Sequence, residues 1–214
     1  MKGEKHMSDK VKESKDIEEK KEKKLPKVRI YADGAAKGNP GVGGFGVHID
    51  FLDKDDKPFY TIEHAQRYPN TTNNKMELLG VITGIEYIKV PSRIDVYSDS
   101  SYVIKAFNDK WLDKWQEDNW KSSSGKPVKN VEYWKRLLSA IRPHMITWHW
   151  VKGHAGDELN ERVDFLASSV ADGKLFERDD NGHLVEKTFQ ISEVDDLKDL
   201  ETIFDDFMNP PLKD

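Results

Sequence analysis

Read for its alternation of apolar and polar positions, the chain has a periodic middle between two strongly charged ends. Val28, Ile30 and Ala32 alternate with Arg29 and Tyr31, which predicts a strand with Asp33 at its C-terminal end. GAAKGNPGVGG reads as a glycine- and proline-rich turn into a second strand over 45–51, and DKDDKP as a turn into a third near 59–64. Met76, Leu79, Ile82, Ile85 and Ile88 recur at helical spacing and predict a helix over 75–89 with much of its surface covered. Ile94, Val96 and Ser98 alternate with Asp95, Tyr97 and Asp99 as a fourth strand. A helix from Ser101, a tryptophan-rich segment to Trp120 and a helix near 131–141 follow. MITWHWV supplies a fifth strand, and Leu159, Val163, Leu166 and Val170 mark a last helix to about Ala171. Three strands in succession, then alternating helices and strands, predict a mixed α/β sheet.

The ends have a different character. Residues 1–24 are almost entirely Lys, Glu, Asp and Ser, with too little apolar surface to offset the entropy of ordering. A disordered charged arm is therefore expected over 1–26. Beyond Asp172, ERDDNGH reads as a charged turn and LVEKTFQI as a strand. Over 193–208, Val194, Leu197, Leu200, Ile203, Phe204 and Phe207 share one side of a helix, with Ser192 as its N-cap and Asn209-Pro210-Pro211 as its stop. Residues 172–214 thus form an acidic extension. Its amphipathic helix has three readings: packing on its own domain, docking a protein partner, or occupying a basic substrate groove as an inhibitor.

Charge sharpens this division. Residues 1–27 carry ten lysines against seven acids, and residues 172–214 five basic against thirteen acidic residues. The net charge of −5 therefore belongs to the ends, and the middle is neutral. A neutral middle that clusters its acids must carry basic surface elsewhere, which permits a polyanionic partner. Cysteine is absent, which excludes disulfides and thiolate metal sites. No apolar run is long enough to span a membrane and the N-terminus holds no secretory apolar core, so a cytoplasmic monomer is expected.

Candidate chemistry lies in four acids set among apolar neighbours: Asp33, Glu77, Asp99 and Asp164. Carboxylates in such surroundings are costly unless a positive charge compensates them, and the sequence offers no matching set of lysines or arginines. Hard oxygen ligands without Cys or a His pair point to a divalent ion of the magnesium or manganese class. Taken singly, Asp33 and Asp99 also read as strand-end caps and Asp164 as a solvated helical residue. Glu77, inside KMELLGVITGI, is harder to explain as structure. His154 lies in a glycine-flanked loop before the helix of Asp164 and reads as a surface loop residue or, beside the carboxylates, as a group that handles protons. Trp111, Trp115, Trp120 and Trp134, interleaved with Lys110, Lys114, Lys121, Lys126 and Lys129, fit a nucleic-acid grip or, equally, a tryptophan-anchored helix pair. GVGGFG matches a dinucleotide-binding pattern, but a strand and not a helix follows it.

DGAAKGNPGVGGFG, TTNNKMEL, YSDSSYV, KPVKNVEYW and WVKGHAGDELNERVD, in this order and spacing, resemble ribonuclease H of type 1 across residues 27–171. The resemblance implies a five-stranded mixed sheet flanked by helices, and an enzyme that cleaves the RNA strand of an RNA–DNA hybrid to leave 5′-phosphate and 3′-hydroxyl ends. It implies two Mg²⁺ roughly 4 Å apart, with Mn²⁺ as a substitute. Asp33 would bridge the ions, Asp164 would help hold the one that activates water, and Glu77 and Asp99 the one at the leaving oxygen. His154 would assist proton transfer or product departure. Asn39, Asn73 and the backbone around Gly34 and Met76 match positions that sense the RNA 2′-hydroxyls. Thr72 and Asn74 match a pocket for a DNA phosphate, and Trp111, Trp115 and Trp120 a handle along the DNA strand.

The sequence departs from that pattern in three ways. Gln116, Glu117 and Asp118 stand where bacterial relatives often carry basic residues, which should weaken hybrid binding. Ala36 and Ser101 replace larger substrate-facing side chains of some relatives, and the acidic extension lies outside the resemblance. Two rival functions remain open at this stage. One is a hybrid-binding module without catalysis, which the full set of carboxylates disfavours. The other is a transposase or integrase relative, which TTNNKMEL and WVKGHAG disfavour.

Overall fold

The computed structural model describes residues 25–187. The expected arm, most of it within 1–24, and the expected helix over 193–208 lie outside the described residues. So does the part of LVEKTFQI that follows Lys187.

Strands β1 (Lys27–Gly38), β2 (Gly41–Leu52) and β3 (Pro58–Thr71) form an antiparallel meander. Helix α1 (Asn73–Tyr87) leads from the β3 edge to β4 (Arg93–Ser98), which pairs parallel with β1. Helices α2 (Ser101–Asn108), α3 (Trp111–Glu117) and α4 (Val131–Ile141) precede β5 (Met145–Trp150), parallel to β4, and α5 (Glu158–Ala171) follows. The five-stranded sheet has the order β3-β2-β1-β4-β5 and is flanked by helices. A short hairpin, β6 (Phe176–Arg178) and β7 (Leu184–Glu186), ends the described chain.

Strand alternation assigns the two faces. Ile30, Ala32, Phe45 and Val47 are fully buried beneath α1, whose Gly80 and Gly84 allow it to lie against them. The intervening Gly44 and Gly46 receive Val163, Leu166, Ala167 and Val170 of α5 on the opposite face. Trp134 and Leu137 of α4, both fully buried, complete the core on the α1 side. The Arg136 guanidinium binds Glu86 through two hydrogen bonds of 2.6 and 2.7 Å and ties α4 to α1.

Three expectations need correction. GAAKGNPGVGG is strand on both sides of a tight Asn39-Pro40 turn, so Asp33 lies within β1 and not at its end. β3 runs seven residues past its expected end, from His64 to Thr71, because an edge strand needs no continuous apolar pattern. ERDDNGH is likewise not wholly turn, since its first residues belong to β6.

The hairpin is bolted to the sheet by buried charge. Glu63 of β3 accepts from Arg162 of α5 at 2.9 and 2.7 Å and from the Leu184 backbone N–H at 2.6 Å, while Arg162 also donates to the Leu184 carbonyl. The Glu63 N–H donates to the Gly182 carbonyl at 2.9 Å, so the hairpin covers part of the β3 edge. Behind Glu63, His48 reaches Glu63 through Nδ1 and Asp50 through Nε2, at 3.1 and 3.0 Å. Both ring nitrogens face carboxylates, so the imidazole is held as a double donor. Burial alone would lower the His48 pKa, and the bonds to Asp50 and Glu63 outweigh it and raise it. Burial would raise Glu63, but Arg162, His48 and the Leu184 N–H bring it down to about 2. Asp50 is held well below the usual carboxylate range, against its burial, by His48, Arg29 and Thr61. Among the described residues no helix is long and apolar enough to cross a membrane.

Candidate active site

Asp33 is the centre of the site. Its carboxylate is 7% exposed and points to the α5 face, two positions beyond Tyr31. Burial first, then the charge of Asp99, push its pKa up to about 8, with Asp164 and Glu77 adding to the rise. The Gly34 N–H, donating to Oδ1 at 2.7 Å, opposes this. The fold therefore brings Glu77 of α1, Asp99 at the end of β4 and Asp164 of α5 within electrostatic reach of Asp33 on β1. None of the groups that shift Asp33 most is a cation.

Each neighbour is placed by local structure. Gly34 lies against the first turn of α1, where a Cβ would run into the backbone of Met76 and Glu77. Its bare Cα is what lets Glu77 stand beside Asp33. Glu77 is pushed above its usual range by burial and by Asp99, while Ser100 and Asn73 oppose the shift. Asn73 Nδ2 donates to Oε1 at 2.9 Å and Ser100 Oγ to Oε2 at 2.6 Å. Asp99 follows β4, with its carbonyl accepting from the Trp150 indole N–H at 3.0 Å. Gly153 packs so closely on Asp99 that a Cβ there would lie 2.6 Å from Oδ2. His154, with a positive φ of 52°, points Nδ1 toward Asp164 Oδ2 at 3.8 Å and stays 82% exposed. Its loop is pinned where α5 begins, through the Gly156 N–H to Glu161 at 3.0 Å and the Asp157 N-cap to Asn160 at 3.1 Å.

The expected substrate contacts form two regions. Asn39, Thr72 and Asn74 line a pocket of about 310 Å³ together with Lys75, Lys129, Asn130 and Glu132. Asn73 is turned onto Glu77, and Met76 is fully buried at the first turn of α1. Trp111, Trp115 and Trp120 are half-buried against the core. Trp115 sits edge-on to Trp134 with ring centroids 5.5 Å apart, and Lys135 lies over Trp120. Trp111 and Trp115 also line a pocket with Lys114, Asp118 and Lys121. The tryptophans thus anchor the segment while its lysines face outward.

A divalent cation would fit the chemistry of the four carboxylates, because it would remove the penalty visible at Asp33. Among the described residues no group of three or more acidic or histidine side chains is arranged to hold one ion as the side chains stand. Ser100 and Gly153 escaped the sequence reading. Ser100 carried a usable signal, a serine at the N-terminus of a predicted helix and next to a candidate ligand; Gly153 carried none beyond being a loop glycine.

The RNase H family model matches residues 26–172. The chain belongs to the RNase H family. A ribonuclease H of Lachnoclostridium phytofermentans is 49% identical over 148 residues, covering 69% of this chain and 93% of the relative. One from Bradyrhizobium diazoefficiens is 46% identical over 143 residues, covering 67% and 88%. The solved structure of LC9-RNase H1, described as a type 1 RNase H with the type 2 active-site motif, superposes with a TM-score of 0.61 at 27% identity, covering 83% of this chain and 85% of that one. Membership carries the family's activity, hydrolysis of RNA in RNA–DNA hybrids. The hairpin after Asp172 lies outside the family match.

Proposed function

We propose that this chain is a metal-dependent endoribonuclease that cuts the RNA strand of RNA–DNA hybrids and leaves 5′-phosphate and 3′-hydroxyl ends. The observation that carries the reading is Asp33, a buried carboxylate that Asp99, Asp164 and Glu77 all push above its usual range. Two Mg²⁺ ions, with Mn²⁺ as a substitute, would supply the positive charge that activates water and stabilises the leaving oxygen.

Asp33 and Asp164 would hold the ion that supplies charge to the attacking water, and Asp33, Glu77 and Asp99 the ion that supplies it to the leaving oxygen. His154, exposed on its loop beside Asp164, accepts or returns a proton at an imidazole nitrogen. Asn39, Asn73 and the backbone at Gly34 and Met76 face the RNA ribose, where a 2′-hydroxyl separates RNA from DNA. Thr72 and Asn74, in the pocket that also holds Lys75 and Lys129, receive a DNA phosphate. Trp111, Trp115 and Trp120 carry the strand beyond it. The unit doing this is residues 27–171, with the chain acting as a monomer in the cytoplasm.

Labelled RNA–DNA, RNA–RNA and DNA–DNA duplexes, incubated with Mg²⁺ or with chelator, test the reading. Cleavage of only the hybrid's RNA strand is expected, lost with chelator and reduced at least about a thousandfold in Asp99→Asn. Binding of the hybrid without cleavage in either Mg²⁺ or Mn²⁺ overturns it in favour of a binding module.

A further inference from the structure

We propose that Ser100 is a positioning residue for Glu77, holding its carboxylate beside Asp99 in readiness for a divalent cation. The inference rests on the metal-dependent reading above. Glu77 is gripped from two sides, and the two grips differ in kind. Asn73 lies one turn earlier on the same helix, so its bond to Oε1 follows α1 wherever α1 goes. Ser100 approaches from the start of α2 and binds Oε2 at 2.6 Å. Among the described residues, that bond joins the Glu77 carboxylate to the chain that carries Asp99.

The hydroxyl of Ser100 has one proton, and its direction is set. Ser100 is the N-cap of α2, and its Oγ accepts the Val103 N–H at 3.2 Å, which leaves the proton free to point at Glu77. At 3% exposure no bulk water competes for it. The partial positive charge at the start of α2 strengthens a donor aimed at a carboxylate. The backbone beneath is also fixed. The Ser100 N–H donates to Ser98 Oγ at 3.2 Å, and the preceding carbonyl, that of Asp99, takes the Trp150 indole N–H. Glu77 and Asp99 repel one another, which contributes to the raised Glu77 pKa. Without the hydroxyl, the Glu77 carboxylate relieves that repulsion by swinging away, and an incoming cation must draw it back. The cost falls on cation affinity and spares the rate once the site is filled.

The test uses the full chain with S100A, S100G and S100T. Gly at an N-cap costs a helix little, so S100G removes the donor while largely sparing the cap. Thr keeps both donor and cap. Mg²⁺ is titrated twice, once against the thermal midpoint of the nucleic-acid-free protein and once against hybrid cleavage. S100A and S100G are expected to raise both Mg²⁺ midpoints about tenfold, with turnover at saturating Mg²⁺ reduced less than threefold. S100T is expected to restore both midpoints. A lowered Tm with unchanged Mg²⁺ midpoints in S100A and S100G would reduce Ser100 to a helix cap and overturn the proposal. A wild-type chain whose Tm and hybrid cleavage both ignore Mg²⁺ overturns the metal-dependent reading itself, and this proposal with it.

Discussion

At the scale of single residues, the site trades stability for readiness. Asp33 is a carboxylate buried among three others, an arrangement that weakens the metal-free fold. Asp33→Asn should therefore abolish cleavage and raise the Tm of the metal-free protein by about 5 °C, as read by thermal melts in chelator. A lower Tm would show that Asp33 is already compensated. The acids were legible because each stands among apolar neighbours with no matching lysine or arginine. What the sequence could not show is that Gly34, by having no side chain, sets how closely Glu77 approaches Asp33. A one-dimensional pattern records side chains, and here the informative one is missing.

At the scale of elements, the glycines of β2 explain the misplaced turn. A cluster of glycines reads as a bend when sequence neighbours are all that is visible. Gly44 and Gly46 are instead flat places on a strand, where Val163, Leu166 and Val170 of α5 press against the sheet. The helices and the inner strands were legible because one face of each is apolar. β6, at three residues, is too short for any period to register, whereas β7 falls at the start of the strand read in LVEKTFQI. Their anchor, Glu63 to Arg162, spans 99 positions. Glu63 is buried, so Arg162→Ala should cost about 3 kcal/mol by stranding its charge, measured by urea unfolding.

The same network sets a pH window. Glu63, lowered from 4.5 to about 2, contributes stability that is complete above pH 4.5 and lost as pH falls toward 2. Asp50 acts in the same direction. His48, raised above 6.5, contributes stability that is complete below 6.5 and lost as pH rises through its folded value. Unfolding free energy attributable to the network should peak between about pH 4.5 and 6.5. His48→Gln should flatten the alkaline limb when wild type and variant are unfolded in urea from about pH 6 to 9, and an unchanged limb would assign the pH dependence elsewhere.

At the scale of the whole molecule, a neutral domain has to engage a polyanion. Glu117 and Asp118 are exposed on the tryptophan-bearing segment and oppose Lys114 and Lys121. Replacing both acids with lysine should tighten hybrid binding at low salt and steepen the slope of log affinity against log salt by about 1 to 2. An unchanged slope would place the nucleic acid away from this segment. Within that segment, Trp111, Trp115 and Trp134 form a chain of indoles with successive centroids 6.1 and 5.5 Å apart. Rings this close pass excitation energy among themselves, so a base settling on the outermost indole would dim the light of all three. If the strand lies along this segment, the protein carries its own optical gauge for its arrival.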